Sequence, residues 1–202
     1  MDARFCAMIF MARTYTLKKR ATQQAETRRR IVEAAVELHS NAGPAATTFS
    51  MVAEKAGVQR HTLYAHFPDE RSLLMACSGH VEARDPIPDA ATWRGIADRA
   101  ERLAVGLRAI YAWFERNDTL LASVLRDAEH HALVHEISQL RYGPPVAAWH
   151  QVLGAKLKAR QRAMLHLALT FYTWRSLVRE GGLNTPAAVD TMVRAIECAG
   201  KA

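Results

Sequence analysis

Between residues 59 and 66 the chain sets out Gln59, Arg60, His61, Thr62, Tyr64 and His66, all able to form hydrogen bonds. Such an amide, guanidinium, imidazole and hydroxyl set suits contact with base edges and phosphate oxygens. A second group, Asp127, Glu129, His130, His131, His135 and Glu136, has metal-binding chemistry. His131 and His135, four apart, would share one face of a helix and reach one ion. The plainer reading is an exposed helix end of mixed charge, and no His-Glu-x-x-His and no Ser/His/Asp spacing supports catalysis. A third group is aromatic: Tyr111, Trp113, Phe114, Trp149, Phe171, Tyr172 and Trp174. Such rings pack as core or line a ligand cavity.

The first group needs an element to present it, and residues 47–67, TTFSMVAEKAGVQRHTLYAHF, provide two short ones. Val52, Ala53 and Ala56 fall on one face of the first; Val58, Thr62, Leu63 and Phe67 recur every three to four residues in the second. Gly57 between them suits the left-handed residue that closes a helix. Ala53 is small enough for a second helix to cross closely, and Thr47 or Thr48 caps the first helix. This is the spacing of a helix-turn-helix, whose second helix enters the DNA major groove. A helix before it, Ala21–Asn41, carries the apolar stripe Ile31, Ala34, Ala35 and Leu38. A helix after it starts at Pro68-Asp69, with Leu73, Leu74 and Cys77 inward.

The stretch TRRRIVEAAVELHSNAG, TTFSMVAEKA and GVQRHTLYAHFPDERSLL resembles the DNA-binding domain of the TetR family of bacterial transcriptional regulators over about residues 27–82. The resemblance implies base reading by Arg60, His61 and Thr62. It implies contact with the DNA backbone or adjacent bases by Phe49, Ser50, Tyr64 and His66, with Thr48 and Gln59 beside them. Two positions depart from the family pattern. Glu70 stands where a phosphate-binding Lys is usual, and Arg71 beside it is the candidate substitute, though about 100° away around the helix. Phe49 offers no hydrogen bond at a position often polar. The resemblance further implies a homodimer formed through the last two helices, at about 159–180 and 186–200. It also implies a small-molecule effector and a near-palindromic operator in double-stranded DNA.

Charge supports this direction. The net is +7, and residues 1–30 hold eight Lys/Arg against Asp2 and Glu26. Residues 1–20 thus read as a basic arm, whose Lys18, Lys19 and Arg20 neutralise phosphate. The domains expected are this arm, a DNA-binding domain at 21–84 and a ligand-sensing and dimerisation domain at 89–202, joined across Asp85-Pro86-Ile87-Pro88-Asp89. The class is all-α, since alternating strand patterns are absent.

The second domain reads as helices at Ala91–Arg116, Thr119–His130, Leu133–Leu140, Val146–Leu157, Ala159–Arg179 and a last one opened by Thr185-Pro186. Tyr142-Gly143-Pro144-Pro145 reads as a break. If the ends of its helices converge, Tyr111, Trp113, Phe114, Trp149, Phe171, Tyr172 and Trp174 line a cavity for a largely apolar or aromatic molecule.

Cys6, Cys77 and Cys198 are too far apart for metal spacing and read as reduced thiols of a cytoplasmic protein. No cofactor, no metal and no membrane partner is expected; the apolar stretch FCAMIFMA, residues 5–12, is too short to span a bilayer. Met11 is an alternative start to Met1. The expected function is a repressor released from its operator by the effector, not an enzyme. The alternatives are a ligand-independent regulator, an activator, or a metal-dependent helical enzyme using His130, His131 and His135.

Overall fold

The computed structural model describes residues 3–200, with side chains from Lys19 onward. The described residues form helices and no strand. In order they are α1 (Ala3–Asn41), α2 (Phe49–Lys55), α3 (Arg60–His66), α4 (Glu70–Arg84), α5 (Arg99–Arg116), α6 (Asp118–Ala128), α7 (Ala132–Leu153), α8 (Ala159–Ala168), α9 (Phe171–Arg175) and α10 (Thr185–Cys198). A 3-10 turn at Ala90–Trp93 precedes α5, and a π-helical turn at Ser176–Glu180 extends α9. No described helix is long and apolar enough to cross a membrane.

Among the described residues the buried apolar side chains form two large clusters, with a smaller one of Leu74, Val134 and Ile137 where α4 meets α7. Ile31, Val32, Ala35, Val36, Val52, Leu63, Phe67, Leu73 and Cys77 close the first around α1 to α4. Leu103, Leu107, Ile110, Trp149, Leu153, Leu165, Trp174 and Ile196 close the second around α5, α7, α8, α9 and α10. The linker between them is pinned rather than loose. Asp85 receives the Arg116 guanidinium at 2.9 and 3.0 Å and the Asn117 amide at 2.7 Å. The Trp149 indole N–H donates to the Pro88 carbonyl at 2.8 Å.

Four boundaries differ from the sequence reading. First, α1 begins at Ala3 rather than Ala21, so the expected arm continues the helix; nothing from Ala3 to Asn41 is Gly or Pro, and no residue there stops helical propagation. Second, α5 begins at Arg99 rather than Ala91, because the Asp98 carboxylate accepts the Glu101 N–H at 2.7 Å and caps the helix there.

Third, Tyr142-Gly143-Pro144-Pro145 does not break the chain: α7 runs through it. The prolines remove two helical donors at about 3 kcal/mol or more each. Anchors on both sides outweigh this. Arg141 donates to Ser78 Oγ and to Glu82, each at 2.9 Å, and beyond the prolines Trp149, Val152 and Leu153 are buried.

Fourth, the long helix expected at Ala159–Arg179 is interrupted at Leu169-Thr170. Thr170 is extended (φ −82°, ψ 142°), and its hydroxyl accepts the Thr173 N–H at 3.2 Å, which starts α9. Ending α8 leaves its last carbonyls without helical donors. The Tyr111 hydroxyl, fully buried, donates to the Ala168 carbonyl at 2.9 Å and satisfies one of them. Tyr111→Phe strands that carbonyl in the core. Urea unfolding should show a loss of about 1–3 kcal/mol with an unchanged m-value; an unchanged midpoint would show that the bond contributes nothing.

Candidate nucleic-acid interface and buried cavity

Thr48 starts α2, its hydroxyl accepting the Met51 N–H at 3.3 Å. The helix closes as a Schellman motif. Val58 N–H bonds the Ala53 carbonyl at 2.9 Å, and Gly57 N–H bonds Glu54 at 3.0 Å. Gly57 takes φ +63°, a conformation in which a side chain is strained. Leu63 and Phe67 are fully buried, Ala53 nearly so, and Arg28 lies over the Phe67 ring at 4.6 Å. These contacts fix how α3 leaves α2.

The opposite side of α3 is free. Gln59, Arg60, His61 and Tyr64 are exposed, Thr62 and His66 half-buried. No acid stands between Glu54 and Asp69. The Tyr64 ring packs on Phe49 at 5.1 Å between centroids, which orients its hydroxyl edge. Thr48 and Ser50 are exposed at the start of α2, beside half-buried Phe49. Lys19 and Arg20 are exposed on α1; the Lys18 side chain lies outside the described residues. Arg71 is turned toward the second domain, where it pairs with Glu136 at 2.7 Å. Glu70 faces the His131 imidazole of the same region at 3.6 Å.

The proposed metal group is dispersed into structural jobs. Asp127 is buried against the end of α1. His131 caps α7, its Nδ1 accepting the Val134 N–H at 3.4 Å; His130 and His135 are exposed. Among the described residues no three His, Cys, Asp or Glu side chains gather around a point.

Five of the seven sequence-derived aromatics meet. Trp113, Phe114, Trp149, Phe171 and Tyr172 line one cavity of about 280 Å³. Tyr111 does not line it, being used on Ala168, and Trp174 is packed behind it, its ring 5.5 Å from Phe171. Ile87, Leu121, Leu125, Tyr142, Val146, His150, His166, Leu169 and Thr170 complete the lining and were not anticipated. Tyr142 lay in the supposed break; His150 and His166 share no sequence pattern that pairs them.

One helix belongs to both regions. From α6, Leu121 and Leu125 face the cavity. Other residues of α6 hold the end of α1: Ser123 Oγ donates to the Ser40 carbonyl at 3.0 Å, and Arg126 donates to the Ala42 carbonyl at 3.0 Å. The Asp127 carboxylate accepts the Ala45 N–H at 2.9 Å and the Arg126 Nε–H at 2.9 Å. Gly43, at φ +99°, passes so close that a Cβ there would collide with Asp127 and Arg126.

Residues 31–77 match the family model of the bacterial regulatory proteins of the tetR family. Over these residues the chain is similar to the DNA-binding domain of the TetR family. It is similar to the HTH-type transcriptional regulator SrpR of Pseudomonas putida, 39% identical over 59 residues. That match covers 29% of this chain and only 28% of SrpR. Over the whole fold it is similar to a TetR-like transcriptional regulator from Rhodococcus sp. RHA1. That likeness has a TM-score of 0.62 at 18% identity and covers 84% of this chain and 93% of that one. Salmonella enterica GusR is similar too, with a TM-score of 0.60 at 19% identity, over 88% of this chain and 96% of that one. These last two establish the TetR-like fold of both domains.

His39, on the last turn of α1, is 5% exposed at this seam, and burial pushes its pKa down to about 4 against a smaller upward pull from Asp127. The unfolded chain takes up a proton there below about pH 6.5, the folded chain only near 4. Stability should therefore fall between pH 6.5 and 4, by up to roughly 3 kcal/mol from this group. In His39→Phe that part of the unfolding profile should flatten relative to wild type; parallel profiles would show that His39 is not the group.

Proposed function

We propose that the chain is a DNA-binding transcriptional regulator, a repressor acting in the cytoplasm as a homodimer. It holds a near-palindromic operator until a small, largely apolar or aromatic effector enters the cavity. The observation that carries this reading is the free polar side of α3 on a turn that the buried core holds rigid. Arg60, His61 and Thr62 supply base discrimination from the first turns of α3. Gln59, Tyr64, His66, Thr48, Phe49 and Ser50 flank them, and Lys18, Lys19 and Arg20 add phosphate contact along α1. Arg71 reaches phosphate only when its pair with Glu136 opens, which costs little for two half-exposed groups. The dimer is built on α8 to α10, where Leu167 and Tyr172 leave about half of their surface uncovered.

The effector acts through α6. A molecule against Leu121 and Leu125 moves a helix whose other side holds α1, and α1 carries the helix-turn-helix. It shifts the equilibrium only by its different affinity for the two arrangements.

The test begins with selection of a bound duplex from a random pool. Arg60→Ala should then cost roughly 1–3 kcal/mol on the selected site and little on random duplex. Equal losses on both would reduce Arg60 to a phosphate contact, and failure to select any sequence would overturn the regulator reading.

A further inference from the structure

The cavity wall is uneven in its hydrogen-bonding capacity. The Trp113 and Trp149 N–H groups are already committed, to the Asp85 carbonyl at 3.2 Å and the Pro88 carbonyl at 2.8 Å. The Thr170 hydroxyl is bonded to the Leu167 carbonyl at 3.1 Å and to Thr173 Oγ at 2.9 Å. Burial, with the Glu129 carboxylate nearby, raises the Tyr172 pKa. What remains is His150 from α7, His166 from α8 and the hydroxyl of Tyr142. The two imidazoles stack at 5.3 Å between centroids, 24° between planes, and neither makes a hydrogen bond to a described residue. His150 is half-buried and His166 exposed, so the pair sits where the apolar lining meets water. No Asp, Glu, Lys or Arg lines the cavity.

Resting on the reading that this cavity is the effector site, we infer that the effector is an apolar or aromatic carboxylate. Its anionic end is held by the N–H groups of His150 and His166, and its body lies among Trp113, Phe114, Trp149 and Phe171.

The chemistry excludes the other charge types. A cation finds no carboxylate in the lining. The aromatic faces are largely spent on one another: Trp113 meets Trp149 at 71° and Phe114 meets Phe171 at 87°. A dianion or phosphate finds no Lys or Arg, and burying unpaired charge is costly. A single carboxylate at the rim is different. It keeps part of its hydration and takes two N–H donors, bonds stronger than neutral ones. Burial, with His166 adding to it, pushes the His150 pKa down, and no acid in the lining competes with an anion for the two imidazoles. Tyr142, pushed up to about 12 by burial, stays protonated in the same lining.

The experiment is calorimetric titration of the full-length protein with matched carboxylate, primary amide and trimethylammonium compounds, each on phenyl, naphthyl and octyl frames. On the frame that fits, the carboxylate should bind about ten-fold or more tightly than the amide, as expected for a hydrogen bond to a charged group. In His150→Leu/His166→Leu the carboxylate should fall to the amide's affinity while the amide's own affinity holds. Equal affinity of acid and amide for wild type, or a tighter trimethylammonium, overturns the inference and leaves the cavity reading standing. No binding by any member of the series overturns the cavity reading and the inference together. The wild-type comparison stands even if the double variant does not fold.

Discussion

The chain depends on how the end of α1 is satisfied. A helix leaves its last carbonyls without partners, and buried ones must find them. Here the partners come from another domain: Ser123 and Arg126 of α6 bond the carbonyls of Ser40 and Ala42, and Asp127 receives the Ala45 N–H. The local sequence contributes Gly43, whose left-handed backbone and missing Cβ let Asp127 approach. The half-exposed ion pairs between α4 and α7, Arg71–Glu136 and Arg141–Glu82, are worth at most about 1 kcal/mol each. The Asp127 carboxylate is 8% exposed, so losing its partner would strand a buried charge at larger cost. The buried polar α1–α6 contact is therefore costlier to open than the half-exposed ion pairs of α4 and α7, which stand beside the apolar cluster of Leu74, Val134 and Ile137.

The helix-turn-helix half was legible because its signals are local. The Thr48 cap, the Gly57 turn, the buried Leu63 and Phe67 and the Asp69 cap of α4 each follow from residues within four positions of one another. The second half was less legible because its boundaries are set across the chain. The prolines of α7 are tolerated because Arg141 and Trp149 find partners about sixty residues away. The break after α8 is stabilised by Tyr111, fifty-seven positions earlier. Neither compensation is written near the feature it permits.

The cavity shows the same division. Aromatic content pointed to Trp113, Phe114, Trp149, Phe171 and Tyr172, and these rings do converge. The two residues that do not line it are those with other work: Tyr111 as a cap, and Trp174 as the packing behind Phe171 and beneath Arg179. The polar part of the lining, His150 and His166, is formed by α7 running on past its prolines and by α8 ending where it does. Both features were misread, so the pair could not be seen in sequence.

Coupling between the cavity and the helix-turn-helix is the central claim, and the Ala45 amide reports on it directly because its hydrogen bond belongs to the α1–α6 contact. Its hydrogen exchange can be followed by NMR with the cavity empty and with it filled by a compound that releases bound DNA. Exchange measures local opening. Faster exchange at Ala45 on filling, with the amides of α2 and α3 retaining their protection, is the result this account predicts. Release of DNA with Ala45 exchange unchanged would contradict it, since the signal would then bypass α6.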